Sequence, residues 1–172
     1  EICLCGSRIY VERSIYNEFM REFVSAARDL KVGDPSKSDT FMGPLVSSAH
    51  REKVRSYIEL AAEEGGRIEC GGDVPNVGPG FEKGFWLSPT ILSGVKQSSR
   101  CVQEEIFGPV VTVIPFDSED EALQLANDSR YGLSATVWTE NLPRAQRLAQ
   151  NLKVGTVWIN TWLHRDLRMP FG

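Results

Sequence analysis

Two thiols one residue apart open the chain, in Glu1-Ile2-Cys3-Leu4-Cys5-Gly6-Ser7-Arg8. Sulfur attacks an electrophilic carbon as the thiolate, and an ordinary thiol ionises only near pH ~8.5. A reactive cysteine therefore needs a special backbone, a helix N-terminus or a nearby positive charge. Gly6 and Ser7 suggest such a backbone, and Cys3 is read as a nucleophile. The alternative is that Cys3 and Cys5 are small hydrophobes at a buried turn.

A second stretch able to do chemistry is Gln103-Glu104-Glu105-Ile106-Phe107-Gly108-Pro109-Val110, which sets a carboxylate and an aromatic ring just ahead of a β-branched run. Clefts in open α/β sheets form beside strand ends. A carboxylate there can hold ribose hydroxyls, and an aromatic side chain can wall a flat ring. Spacing alone is also satisfied by a solvated Glu pair and a core Phe leading into a Gly-Pro turn.

These residues need elements to position them. Arg8-Ile9-Tyr10-Val11 predicts a short strand, followed by a helix capped by Ser14 with Ile15, Phe19, Phe23, Ala26 and Leu30 inward and Tyr16, Met20 and Val24 widening the stripe. A second helix starts at Ser47 or Ser48, runs through Val54, Tyr57, Ile58, Ala61 and Ala62, and ends at Gly65-Gly66. Arg67–Cys70 is β-prone, Asp73 to Lys83 is a Gly- and Pro-rich loop, and Pro89 puts the runs Phe85–Leu87 and Thr90–Leu92 at an edge or a bend. Val110–Ile114 has the pattern of a strand covered on both faces. A Ser118/Glu121 capping box, a strand at Ser134–Trp138, a helix capped by Asn141 with Pro143 in its first turn, a stop at Gly155 and a strand at Thr156–Asn160 follow. The alternation predicts an α/β fold, an open, mainly parallel twisted sheet flanked by helices.

With 172 residues, 41% hydrophobic, 24% charged and net charge −4, the composition is that of an ordinary domain with material for one full core, and a single domain is expected. No Lys/Arg run gives an electrostatic reason for nucleic acid or an anionic membrane surface. No apolar stretch approaches the roughly 20 residues that span a bilayer, and the four cysteines are too sparse for a secreted disulfide scaffold. A cytoplasmic location is expected, with neither nucleic acid nor membrane as partner. The start without Met and the end on Met169-Pro170-Phe171-Gly172 lead us to expect a piece of a longer chain.

Together the stretches resemble the NAD(P)-dependent aldehyde dehydrogenase superfamily, over essentially the whole chain. Glu1 to Arg8 is similar to that family's Gly-Gln-x-Cys motif followed by Gly-Ser-Arg, with Glu1 where Gln is commoner. Glu104-Glu105-Ile106-Phe107-Gly108-Pro109 is similar to its Glu-Glu-Ile-Phe-Gly-Pro signature. Tyr131-Gly132-Leu133, Gly155 to Asn160 and Pro170-Phe171-Gly172 match further landmarks in the family's order. The resemblance implies that Cys3 is the nucleophile, that Glu105 contacts the nicotinamide ribose and that Phe107 sits beside the nicotinamide. It implies NAD as cofactor, with NADP left open, and a small-molecule aldehyde as substrate of a homo-oligomeric parent protein. Residues 1–172 would then be an incomplete catalytic domain. The cofactor domain, the Glu that activates water, the oxyanion Asn and the oligomerising C-terminal strand would lie elsewhere, and the piece alone would be inactive.

Asn160 to Gly172 falls where the family's substrate loop lies, and Arg165 stands among positions that are aromatic or apolar in most relatives. A guanidinium can hold a carboxylate bidentately. This loop, with Ile2-Cys3-Leu4-Cys5, resembles the branch that oxidises 2-aminomuconic and 2-hydroxymuconic semialdehydes. On that resemblance Arg165 binds the substrate carboxylate, with Arg168 a weaker candidate, and Trp162 and Phe171 shape the pocket. Against it stands the possibility that Arg165 pairs with Asp166 or another surface acid. Three other functions compete: a zinc site drawn from Cys3, Cys5, Cys70, Cys101, His50 and His164, an acylating dehydrogenase that releases to coenzyme A, and an inactive structural module.

Overall fold

Thr90, Ile91, Leu92 and Ser93 are all buried. Side chains alternate faces along a strand, so four buried in a row require cover on both sides. The structure is a computed structural model that describes residues 1–170. It divides into two compact units, one formed by Glu1 with Ser7–Pro115 and the other by Ile2–Gly6 with the chain from Phe116 onward.

The first unit contains β1 (Arg8–Glu12), α1 (Arg13–Arg28), α2 (Ser48–Glu63), β2 (Arg67–Cys70), β3 (Thr90–Ser93), the single turn α3 (Arg100–Gln103) and all but the last residue of β4 (Val110–Phe116). The strands lie in the order β1-β4-β3-β2. β3 and β4 are parallel, with Thr90 opposite Val110 and Ser93 opposite Val113. β2 is antiparallel to β3, with an irregularity between Ile68 and Cys70. Pro89 therefore does not mark an edge: it stands just before an interior strand, outside the ladder that its missing N–H would interrupt. Thr112, Val113 and Ile114 are buried in succession, as the continuous β-branched run predicts.

Helix α1 turns Tyr16, Met20, Phe23 and Ala27 inward, at i, i+4, i+7 and i+11, with Phe19 and Val24 beside them, onto a core that includes Val11, Cys70, Ile91 and Val113. Ile15, the first residue of the expected stripe, is exposed. Ser14 does not cap the helix either. The N-cap is Glu12, without a side-chain bond, and the Ser14 hydroxyl donates to the Glu12 carboxylate at 3.3 Å. Helix α2 follows expectation more closely. Ser47 Oγ accepts the His50 backbone N–H at 3.1 Å, Val54, Ile58 and Ala61 are buried, and Gly65 at φ 89° supplies the left-handed residue after the last turn. Ala62 faces outward.

The second unit contains α4 (Glu119–Asn127), β5 (Ser134–Val137), α5 (Leu142–Asn151) and β6 (Thr156–Ile159), with β5 and β6 parallel and Ser134 opposite Thr156. Ser118 Oγ caps α4 by accepting the Glu121 N–H at 3.2 Å, and Glu121 returns to the N–H of Asp117 rather than that of Ser118, at 2.7 Å. Asn141 caps α5 through the Arg144 N–H at 2.9 Å. That helix ends at Leu152, before Gly155, whose N–H instead pairs with the Gly132 carbonyl at 2.8 Å. Glu119 ties the two helices, gripped by Arg147 at 2.8 Å and by Arg144 at 3.3 Å. The result is a mixed α/β fold, a mainly parallel sheet flanked by helices, as predicted.

Candidate active site

The segment Glu104–Gly108 is held by one face of α2. His50, Lys53 and Tyr57 recur at i, i+3 and i+7, so their side chains stack along that face. His50 Nε2 lies 2.8 Å from the Phe107 carbonyl, Lys53 Nζ donates to the Glu105 carbonyl at 3.1 Å, and the Tyr57 hydroxyl donates to Glu104 Oε2 at 2.6 Å. Arg100 forks onto the same Glu104 carboxylate at 2.8 and 3.0 Å. Beneath them Gly108 packs against Val54 so closely that a Cβ would come within 2.6 Å of its Cγ2. Ile106 is buried, while Glu105 and Phe107 are exposed. The loop thus fixes its backbone and presents a carboxylate and an aromatic ring to solvent.

Phe107 adopts φ 60°, a left-handed conformation unusual for a bulky residue. Its carbonyl reaches His50 because of that turn. Glu1 Oε1 approaches the same His50 Nε2 at 3.1 Å and accepts the Val46 N–H at 3.3 Å. With two acceptors facing it, Nε2 must carry the ring proton.

Cys3 and Cys5 flank a tight turn in which the Cys5 N–H donates to the Ile2 carbonyl at 3.1 Å. Leu4 is buried and anchors the turn, and both thiols are exposed, which removes the reading of the pair as buried hydrophobes. Cys70 and Cys101 are buried. Burial, then the Glu64 carboxylate, pushes the Cys101 thiol up to about 11, and burial chiefly raises Cys70 as well.

The loop after β6 is pinned at its base. Trp158, buried, donates its indole N–H to the His164 carbonyl at 2.9 Å. Asn160, at φ 53°, uses its side chain as a further ladder rung, accepting the Thr139 N–H and donating to the Thr139 carbonyl, both at 2.9 Å. Leu163 is left-handed too, at φ 59°. Trp162 and Arg165 are exposed, and Phe171 lies outside the described residues.

The structure therefore gathers the expected residues in two groups. Cys3, Trp162 and Arg165 belong to the second unit, Glu105 and Phe107 to the first. Sequence reading missed His50, Lys53 and Tyr57 as a group, taking His50 as a possible metal ligand and Tyr57 as core. Their i, i+3, i+7 spacing beside an apolar stripe was the available signal. Among the described residues no three His, Cys, Asp or Glu side chains cluster as a metal site, and no helix is long and apolar enough to cross a membrane.

The aldehyde dehydrogenase family model matches residues 1–172. A 2-aminomuconic 6-semialdehyde dehydrogenase of a Pseudomonas species is 51% identical over 172 residues, all of this chain and 35% of the relative. The 2-aminomuconic semialdehyde dehydrogenase of Bos taurus is 54% identical over all of this chain and 36% of its own length. Among solved structures, betaine aldehyde dehydrogenase of Staphylococcus aureus in complex with NAD+ superposes with a TM-score of 0.95 at 43% identity, covering 99% of this chain and 34% of that one. The chain thus spans about a third of the length of the relatives it matches.

Proposed function

This chain belongs to the aldehyde dehydrogenase family, and on that footing we propose that the protein carrying it oxidises an aldehyde to a carboxylate with NAD, Cys3 being the nucleophile. The observation that carries the reading is the Cys3 turn: an exposed thiol on a backbone closed by the Cys5-to-Ile2 bond and anchored by buried Leu4. In this reading residues 1–172 form part of the catalytic domain.

The Cys3 thiolate attacks the aldehyde carbon. A sulfur–carbon bond forms, the carbonyl π pair moves to oxygen, and the thiohemiacetal oxyanion needs donors, one of them the Cys3 backbone N–H. NAD, when bound, would supply the hydride acceptor that this adduct needs to become a thioester. The exposed Glu105 carboxylate and Phe107 ring, on a backbone latched by α2, fit the ribose and flat-ring ends of such a cofactor. Hydrolysis of the thioester then frees Cys3 and yields the acid.

Arg165 supports a substrate with a carboxylate at its far end, and the names of the muconic semialdehyde relatives point the same way. Betaine aldehyde, named for the Staphylococcus relative, is instead a cation that a guanidinium would repel. The same reading places the protein in the cytoplasm as a homo-oligomer, with this piece inactive when isolated from the rest.

The test is NADH formation by the full-length protein with Cys3→Ala beside Cys5→Ala. Loss of turnover by about three orders of magnitude or more in the first, and under about tenfold in the second, is expected. Sustained turnover in Cys3→Ala would end the proposal. Product released only with coenzyme A would move it to the acylating class.

A further inference from the structure

A bulky residue in the left-handed region is strained, and such a conformation persists only where its surroundings over-determine it. Phe107 is in that position, and the contact on its carbonyl is His50 Nε2 at 2.8 Å, with the two rings edge to face at 6.4 Å between centroids. His50 is itself fixed twice. Its backbone N–H is capped by Ser47, and its Nε2 also lies 3.1 Å from Glu1 Oε1.

We propose that His50 is a positioning residue for cofactor binding: its Nε2–H, oriented by the Glu1 carboxylate, holds the Phe107 carbonyl and so keeps the Phe107 ring, and Glu105 two residues before it, where the nicotinamide ribose end of NAD meets them. This rests on the reading above that Glu105 and Phe107 face the cofactor. The Lys53 and Tyr57 bonds act on Glu105 and Glu104, two and three residues before Phe107 in the same segment, and neither of these bonds is to Phe107. Of these three side chains, His50 is the one that acts at the strained position, from the first turn of a helix whose next turn packs Val54 under Gly108. Glu1 stands two residues before Cys3, so the same hydrogen-bonding group that orients the ring belongs to the nucleophile stretch in sequence.

The reach of the donor separates a positioning role from a merely structural one. In the full-length enzyme, His50→Gln keeps an N–H on a side chain long enough to reach the carbonyl, whereas His50→Leu removes it and His50→Asn falls short. NAD dissociation constants, KM for NAD, KM for the aldehyde and the rate of Cys3 alkylation are compared, with Glu105→Gln as control. His50→Leu and His50→Asn should raise KM for NAD by about tenfold, with the aldehyde KM and the alkylation rate moving less than about threefold, and His50→Gln should stay within about threefold of wild type. Should leucine at this position lower the melting temperature enough to blur the result, the asparagine variant decides. Unchanged NAD binding in the donor-lacking variants, while Glu105→Gln weakens it, would overturn the role of His50 and leave the proposed function standing. No effect from Glu105→Gln either would instead remove the cofactor assignment beneath it. Equal losses in His50→Gln and His50→Leu would also overturn the proposal, since a donor would then not be what matters.

Discussion

Arg168 grips Asp166: Nη2 reaches Oδ2 at 2.6 Å, Nε reaches the two carboxylate oxygens at 2.9 and 3.1 Å, and the Arg168 backbone N–H adds a bond to Oδ1 at 3.0 Å. The guanidinium holds the Asp166 carboxyl below its ordinary range, so the pair is charged at neutral pH and is lost only as pH falls through that lowered value. Asp166 is thus engaged by the arginine two residues after it. Arg168 shapes the loop, and it is Arg165 to which the proposed function gives the substrate carboxylate.

That division predicts different kinetics for the two alanine variants. A charge-assisted bond to a substrate carboxylate is worth about 2 kcal/mol, or roughly 30-fold in kcat/KM. Arg165→Ala should lose about that much with a semialdehyde carrying a distal carboxylate and less than about threefold with a matched aldehyde lacking it. Arg168→Ala should lower both substrates alike, because it loosens a turn rather than removing a ligand. Equal behaviour of the two substrates in Arg165→Ala would leave the family intact and discard the acid-bearing substrate.

The elements themselves were legible wherever local rules govern. Ser47, Ser118 and Asn141 cap helices where their spacing predicts, and the β-branched run at Val110 to Ile114 is a strand covered on both faces. Rotation about a helix axis was less legible. In α1 aromatic and aliphatic residues occupy more than one face, so the periodicity admits Ile15, and only the sheet's position selects Tyr16, Met20, Phe23 and Ala27. Of the latch on Glu104 to Phe107, only the i, i+3, i+7 spacing of His50, Lys53 and Tyr57 was legible, and not what those side chains hold. The latch joins residues about fifty apart in sequence, and two of its three bonds end on backbone carbonyls, which every residue has and which no motif records. Glu105 and Phe107 stood out by type, while the side chains that aim them looked like surface and core of an ordinary amphipathic helix.

The four thiols should separate into two classes. Cys101, pushed up to about 11, is ionised to roughly one part in ten thousand at pH 7 and is buried besides. Native alkylation followed by peptide mass mapping should leave Cys70 and Cys101 unmodified until denaturant is added. The raised Cys101 value carries its own sign: whatever stability the neutral thiol contributes is complete below the ordinary thiol range and is lost as pH rises through about 11. Rapid native labelling of Cys101 would show that its surroundings are looser than its burial indicates.

Gly108 should be intolerant of a single methyl. A Cβ there would stand 2.6 and 2.9 Å from the two Val54 methyl carbons, and Val54 is fully buried with a stiff, β-branched side chain. Gly108→Ala should cost about 1–3 kcal/mol in denaturant melts. Adding Val54→Ala should restore part of that loss, so that the double variant is more stable than the sum of the single effects. Strict additivity would mean that the clash is relieved elsewhere.

Tyr57 offers a pH test of the latch. Its hydrogen bond to Glu104, followed by burial, holds the phenol above its ordinary value near 10. A group whose folded value is raised contributes stability that is fully present below the free value and disappears as pH rises through the folded one. The latch should therefore be intact at neutral pH and open in the alkaline range above 10. Tyrosinate absorbance of wild type minus Tyr57→Phe should give a midpoint above that of free tyrosine. The phenylalanine variant should lose about 1 kcal/mol of stability, because Arg100 still holds the Glu104 carboxylate from the other side. A midpoint at or below the ordinary value would mean that the phenol and carboxylate do not share a proton-donating bond, and Tyr57 would then have no part in placing Glu104.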